Sequence, residues 1–240
     1  MTGDDVLDLA DEVGEALAAG GPVVALETTL VSHGFPRMRG LTVALESERR
    51  VRAAGAVPAT VAVVDGRIRV GLGATTVGGT LAVCRLAGIR FMGTGGIGGV
   101  HRGFAATLDI SADLAQIART PAVVVASGPK SLLDVPATAE LLESLGVPVL
   151  GWRTGTLPLF YTAGGGPRVS AVVTSPAQAA RIAIIHWQLN GPSGLLLARP
   201  PDPSLDIEPI ITEAVSRVRD QGVTGQSVTP AVLSLVHELS

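Results

Sequence analysis

Short apolar runs alternate with longer amphipathic segments along most of the chain. The apolar runs are rich in β-branched residues, which is typical of buried strands. They lie at 22–27, 58–64, 89–93, 122–127, 147–152 and 194–198. The amphipathic segments between them lie at 42–54, 76–87, 111–119, 137–145 and 176–189. This alternation predicts an α/β fold, a three-layer α/β/α sandwich around a mixed or mostly parallel sheet.

A capping signal and the chain length complete the expected architecture. Ser175 precedes Pro176, and Gln178 occupies the third helical position, which together predict a helix start. No fixed-period repeat interrupts the 240 residues. We therefore expect one domain over residues 1–240, long enough to bury a sizeable core.

Composition narrows the set of partners. The formal net charge is −3 and only 3% of residues are aromatic, which supplies neither the basic stripe nor the stacking surface of a nucleic-acid binder. No uninterrupted apolar run approaches the roughly 18 residues that a membrane span needs. The acidic N-terminal stretch does not resemble a secretory signal, so we expect a cytoplasmic protein. From the charge, the aromatic content and the apolar runs, we expect no nucleic-acid partner and no membrane partner.

Lys130 is the single lysine in a chain with seventeen arginines. A lone lysine suggests a task that arginine cannot perform, such as losing its proton. The residue follows the apolar run 122–127, so it would lie past the carboxyl end of a strand, where open α/β sheets bind ligands. Partial burial favours the neutral amine, which could act as a nucleophile; a chance surface lysine is the alternative.

Glu27 ends the apolar run 22–27 in the same way. Desolvation at a strand end favours the protonated carboxyl, the form that a general acid requires. A carboxylate that caps a helix or forms an ion pair is the alternative interpretation.

A glycine-rich segment at 94–103 follows the run 89–93 and contains one histidine and one arginine, His101 and Arg102. Its exposed backbone N–H groups suit an anion. The spacing of Gly93, Gly95 and Gly98 matches the dinucleotide pattern only weakly, so a phosphorylated small molecule is favoured over NAD. His101 is as consistent with a structural role as with a ligand.

Asp109 and Asp113 stand four residues apart, so on one helix they would share a face. Two converging carboxylates suit a hard divalent cation held largely by water. Helix capping by Asp109 or Ser111 is the competing explanation.

Six blocks, in this order, resemble the pseudouridine-5'-phosphate glycosidase family. The resemblance spans residues 22–230 and rests on VVALETTLVSHGFP, GAVPATVAVVDGRIRVGL, GATTV, TGGIGGVHRG, LDISADL and SGPKSLLD. It implies reversible conversion of pseudouridine 5'-phosphate and water to uracil and ribose 5-phosphate by a homotrimer with one Mn²⁺ per subunit.

The same resemblance implies roles for individual residues. Glu27 is similar to the family's proton donor, Lys130 to its nucleophile and Asp109 to its manganese-linked carboxylate. Substrate contacts are implied at Val77, Ser111, Ala112 and Asp113.

Two departures from the family pattern affect the expected activity. After Leu72 the family carries a further segment with a second active-site lysine, which this chain lacks. The family also continues beyond Thr229 and Pro230 with a helical region that adds an amide to the base pocket, whereas this sequence stops at Ser240. A binding or structural subunit with impaired catalysis is therefore the second hypothesis, and an NAD-dependent enzyme is a weaker third.

Overall fold

The computed structural model describes residues 7–28, 37–64, 67–70, 75–223 and 228–239. The strands are β1 Leu7–Leu9, β2 Val23–Leu26, β3 Val57–Val64, β4 Arg67–Val70, β5 Phe91–Gly93, β6 Val123–Ala126, β7 Val149–Trp152, β8 Ala171–Val173 and β9 Leu195–Ala198. The helices are α1 Asp11–Ala18, α2 Arg37–Ala53, α3 Val77–Ala87, α4 Phe104–Thr107, α5 Ala112–Ile117, α6 Val135–Ser144, α7 Pro176–Asn190, α8 Glu208–Asp220 and α9 Val228–Leu239.

The strands form one mixed sheet in the order β1-β4-β3-β2-β5-β6-β9-β7-β8. Only the β3–β4 pair is antiparallel among these neighbours. All six apolar runs of the sequence form strands, so this prediction is confirmed. The short strands β1, β4 and β8 were not predicted.

Helices cover both faces of the sheet. Adjacent residues of β6 belong to different cores: Val124 packs with Leu81 of α3, whereas Val123 packs with Ala183 of α7. Successive side chains of a strand point to opposite faces, so these two cores are two separate layers. The predicted α/β/α sandwich is confirmed.

A third apolar cluster lies away from the sheet. Helices α8 and α9 pack against each other and bury Ile211 and Val232 against Leu132 and Leu133, which follow β6 in the chain. The loop after β6 therefore packs against helices α8 and α9. The interpretation of residues 1–240 as one domain stays a prediction.

Candidate active site

The strand order reverses between β2 and β5. From β2 the chain continues to β3 on one side, and after β4 it returns to β5 on the other side of β2. In open α/β sheets, the crevice outside the carboxyl ends of the strands at such a reversal is the usual ligand site. Both β2–β5 and β5–β6 are parallel pairs, so the loops that follow these three strands meet at one edge.

Glu27 and Thr94 lie side by side at this reversal. Glu27 directly follows β2 and Thr94 directly follows β5. The Thr94 hydroxyl donates a hydrogen bond to the Glu27 carboxylate, with 3.1 Å between Oγ1 and Oε1. The predicted location of Glu27 is confirmed, and its role as proton donor stays a prediction.

A buried threonine network fixes the backbone next to Glu27. The Thr28 hydroxyl donates to the carbonyl of Val61 over 3.1 Å and accepts the backbone N–H of Thr75 over 2.6 Å. The Thr75 hydroxyl donates to the same Val61 carbonyl over 3.0 Å. The residue after Glu27 is thus tied both to β3 and to the start of α3.

Lys130 follows β6 by four residues and reaches the same edge, as predicted. Its backbone N–H donates to the Ile97 carbonyl over 3.1 Å, and its side chain is half-buried. The preceding Gly128 has φ +90°, and a Cβ there would lie 2.2 Å from the Pro158 carbonyl oxygen. Only glycine fits this close approach, which sets the path of the chain into Lys130.

The glycine-rich segment does bind an anion, but that anion is a side chain of the protein. The Asp113 carboxylate accepts the backbone N–H of Gly98 through Oδ2 and that of Gly78 through Oδ1, each over 2.8 Å. The N–H groups of Ile97, Val100 and His101 also donate to protein acceptors. The expectation that the N–H groups of this segment are open to an anionic ligand is therefore wrong for four of them, since each already donates to a protein acceptor.

The predicted shared helical face of Asp109 and Asp113 is also wrong. Helix α5 begins at Ala112, and Leu108 has a left-handed φ of 55°, so Asp109 lies in the connection between α4 and α5. Asp113 points into the protein, whereas Asp109 keeps about a third of its side chain exposed (35%). The two carboxylates are thus held in different environments.

Asp109 has an imidazole as its neighbour instead. His101 Nδ1 lies 3.8 Å from Asp109 Oδ2, and the His101 backbone N–H donates to the Asp109 carbonyl over 3.0 Å. Within the described ranges, no group of three or more His, Cys, Asp or Glu side chains is arranged to hold a metal.

The remaining predicted contacts cluster at the starts of α3 and α5. Val77 is the buried first residue of α3, and Ala112 is the exposed first residue of α5. Ser111 is the N-cap of α5, since its hydroxyl accepts the Asp113 N–H over 3.2 Å. The capping alternative is confirmed for Ser111, and substrate contact by Val77, Ser111, Ala112 and Asp113 stays a prediction.

Sequence reasoning missed Phe160, which lies against the loop of Lys130. Its backbone N–H donates to the Ser127 carbonyl over 2.9 Å, and its φ of 63° is left-handed. A bulky residue with positive φ is uncommon and marks a strained position. Burial raises the pKa of the neighbouring Tyr161 hydroxyl. The scarcity of aromatic residues in the chain was the one signal that could have drawn attention to this adjacent pair.

The fold and this edge define an α/β protein with a carboxylate at the strand-order reversal of a mostly parallel sheet and a lysine at the same edge, after the neighbouring strand β6. A family model described as "Indigoidine synthase A like protein" matches residues 12–73 and 72–240. A pseudouridine-5'-phosphate glycosidase of Herpetosiphon aurantiacus is 43% identical over 264 aligned positions, covering 95% of this chain and 87% of that protein. Its counterpart in Streptomyces griseus is 44% identical and covers 94% of this chain and 81% of that protein.

Solved structures agree with these relatives. The prealnumycin C-glycosynthase AlnA, in complex with ribulose 5-phosphate, superposes with a TM-score of 0.88 at 38% identity, covering 98% of this chain and 88% of that one. An indigoidine synthase A-like protein from Thermotoga maritima has a TM-score of 0.84 at 28% identity, covering 98% and 87%. The chain belongs to the indigoidine synthase A like family, the family of the pseudouridine-5'-phosphate glycosidases.

The same comparisons locate an internal gap. Of the chain's 240 residues, 95% is about 228, so about 36 of the 264 positions aligned with the Herpetosiphon protein have no residue here. The family model matches in two stretches that meet at residues 72 and 73. This agrees with the segment expected to be missing after Leu72, a junction that lies outside the described residues.

No helix of the described part is long and apolar enough to cross a membrane.

Proposed function

We propose that this protein catalyses the reversible conversion of pseudouridine 5'-phosphate and water to uracil and ribose 5-phosphate. The observation that carries the proposal is the placement of Glu27 and Lys130 at the same carboxyl edge of the sheet, in a chain about 40% identical to pseudouridine-5'-phosphate glycosidases over nearly its whole length. The ribulose 5-phosphate bound by AlnA supports a sugar phosphate as the ligand class.

Cleavage of a carbon–carbon glycosidic bond leaves C1′ electron-deficient, because the bonding electrons depart with the base, so an electron-pair donor is needed at C1′. In the proposed reaction, Glu27 protonates the ring oxygen as the sugar ring opens, and the Lys130 amine forms a bond to C1′. The resulting secondary ammonium returns a proton to the Glu27 carboxylate. The freed nitrogen lone pair then forms a C1′=N iminium while the electrons of the C1′–C5 bond pass to the base, and Glu27 protonates the base at C5. Water hydrolyses the iminium, which releases ribose 5-phosphate and the free amine.

A divalent cation, with Mn²⁺ as the preferred ion, is proposed at Asp109. The partly exposed Asp109 carboxylate offers oxygen donors, the ligand type that suits manganese rather than zinc, and water and substrate would fill the other positions. Such a cation, when bound, would polarise a substrate oxygen. Mn²⁺ titration followed by calorimetry should detect one site, which Asp109→Ala should weaken; equal affinity in this variant would reduce Asp109 to a loop residue.

The homotrimer and the cytoplasmic location are also proposals. The exposed apolar side chains Ile184 (53%), Ile185 (44%) and Leu189 (78%) of α7 support an oligomer, because water-exposed apolar surface favours association. The phosphorylated metabolic substrate supports the cytoplasm. Light scattering should give three times the chain mass, and a monomeric mass would exclude the trimer.

The direct test supplies uracil and ribose 5-phosphate and measures formation of pseudouridine 5'-phosphate. Borohydride reduction with ribose 5-phosphate should tag Lys130, located by peptide mass analysis. Lys130→Arg should be as inactive as Lys130→Ala, since a guanidinium does not deprotonate to attack. An untagged Lys130 at saturating sugar phosphate would remove the mechanism.

The gap of about 36 aligned positions favours a second candidate, a relative that binds the ligand without efficient turnover. Retained binding of ribose 5-phosphate with no product and no tag would support this candidate over the enzyme.

A further inference from the structure

The turn that begins at Lys130 is held on several sides. The Leu133 N–H donates to the Lys130 carbonyl over 3.0 Å and closes the turn, while the Lys130 N–H donates to Ile97. The Ser131 hydroxyl donates to the Leu159 carbonyl over 2.5 Å. These bonds fix the backbone of the turn. They do not involve the carbonyls of Ser131 and Leu133, which accept hydrogen bonds from a different residue.

Arg102 supplies that donor. Its Nη2 donates to the Ser131 carbonyl over 2.7 Å, and its Nε donates to the Leu133 carbonyl over 3.3 Å. Both carbonyls belong to buried residues, 4% and 3% exposed. The same Nη2 lies 2.8 Å from a carboxylate oxygen of Glu208, the first residue of α8.

These contacts change the interpretation of the arginine in the glycine-rich segment. From the sequence, the position of Arg102 in a glycine-rich segment suggests a cation that contacts an anionic ligand. In the fold, its Nε and Nη2 are directed to the turn of Lys130 and to α8. We propose that Arg102, oriented by Glu208, is a positioning residue that fixes the turn of Lys130 for attack on the sugar carbon; this rests on the proposed function of Lys130.

The planar guanidinium explains why an arginine is needed here. Two N–H groups in a fixed fork reach two carbonyls of one turn at once, which a lysine ammonium on a flexible stem cannot reproduce. Without these donors, two buried carbonyls would lack partners and the turn would shift to find them. A displacement of about 1 Å at a nucleophile is enough to reduce a rate by about 100-fold.

The test measures how fast and how completely Lys130 is tagged. Wild type and Arg102→Gln are mixed with saturating ribose 5-phosphate and borohydride, and the tagged peptide is followed over time by mass analysis. We expect Arg102→Gln to be tagged about 10- to 100-fold more slowly, yet to the same final extent, with the apparent affinity for sugar phosphate nearly unchanged. Arg217→Gln, which removes an exposed α8 arginine paired with Glu213, is the matched control and should be tagged at the wild-type rate.

The rate and the final extent of Lys130 tagging distinguish the possible outcomes. An unchanged rate in Arg102→Gln would overturn the proposal, and so would a reduced extent with a normal rate, which indicates a merely structural loss of folded protein. A large loss of affinity with an unchanged saturated rate would also overturn it, because Arg102 would then contact the phosphate.

Two further measurements keep the test decisive. If Arg102→Gln does not fold, Arg102→Lys should still be tagged slowly at Lys130, and peptide mass distinguishes this tag from one on the new lysine. A wild-type rate in Arg102→Lys would overturn the proposal. Failure of wild type to be tagged at Lys130 would instead refute the proposed function itself.

Discussion

At the residue scale, Asp113 joins two loops through its two carboxylate oxygens. Oδ1 accepts the Gly78 N–H at the start of α3, and Oδ2 accepts the Gly98 N–H of the glycine-rich segment. Asp113 is 7% exposed, so water offers little replacement for these two partners. A negative charge also suits the positive end of α3.

Asp113→Asn should destabilise the protein by about 1–3 kcal/mol, because the amide keeps one carbonyl acceptor and leaves a buried N–H without a partner. Urea unfolding measures the change, with the exposed Asp206→Asn as the matched control. Unchanged stability with a strongly raised KM would show that Asp113 acts mainly as a substrate contact.

Cys84 is a second residue whose behaviour follows from burial. Desolvation of this fully buried thiol raises its pKa from 9.0 to about 12. We expect almost no labelling of the native protein by a thiol reagent at pH 8, and rapid labelling in denaturant. The raised pKa also lowers folding stability as the pH increases from 9 towards 12, since the thiol ionises first in the unfolded chain. Fast labelling of native protein at pH 8 would contradict this burial.

At the scale of elements, the glycine-rich segment, α3 and α5 pack too closely for a side chain at Gly98. A Cβ there would lie 2.1 Å from Ser111 Oγ and 2.8 Å from Asp113 Oδ2. These atoms are the cap of α5 and the carboxylate that joins the two loops, so neither moves without breaking a hydrogen bond.

Gly98→Ala should therefore cost about 1–3 kcal/mol of folding free energy, the usual range for overpacking. Gly14→Ala is the control, because a Cβ on this α1 residue meets nothing within 4 Å. That variant should gain up to about 1 kcal/mol from helix propensity. Thermal or urea unfolding of both variants checks the prediction, and equal effects would mean that the segment can rearrange freely.

At the scale of the whole molecule, the internal gap bears on catalytic rate. A lysine near the sugar phosphate would help to hold the dianion, and hydrogen bonds to charged groups contribute about 1.5–3 kcal/mol each. Insertion of a family-like, lysine-bearing segment after Leu72 should then raise kcat/KM on pseudouridine 5'-phosphate by about one to two orders of magnitude.

The same insertion with alanine in place of lysine separates the charge from the added chain length. If both insertions, or neither, raise kcat/KM, the missing lysine does not limit this protein. Arg102 is a weak substitute in either case, since its Nε and Nη2 bond to the turn of Lys130 and to Glu208.

The sequence was informative where one local signal decided the outcome. Buried strands need continuous apolar side chains, so all six predicted strands formed, and the hydroxyl of Ser175 caps α7 by accepting the Gln178 N–H. Strand β4 was missed because its sequence RIRV alternates charged and apolar residues and so contains no continuous apolar run. The strand lies next to the sheet edge, between β1 and β3. Strands β1 and β8, three residues each, lie at the two edges and carry too few residues for a pattern.

The sequence by itself determined the layered α/β fold and the strand-end positions of Glu27 and Lys130, because both follow from where apolar runs begin and end along the chain. Only the tertiary structure decided which polar groups are already bonded to one another. It directed Asp113 to the N–H groups of Gly78 and Gly98, and Arg102 to Ser131 and Leu133. The partners lie 15–35 residues away in the chain. Hydrogen bonds across such separations depend on how strands and loops are brought together, which local sequence patterns do not encode.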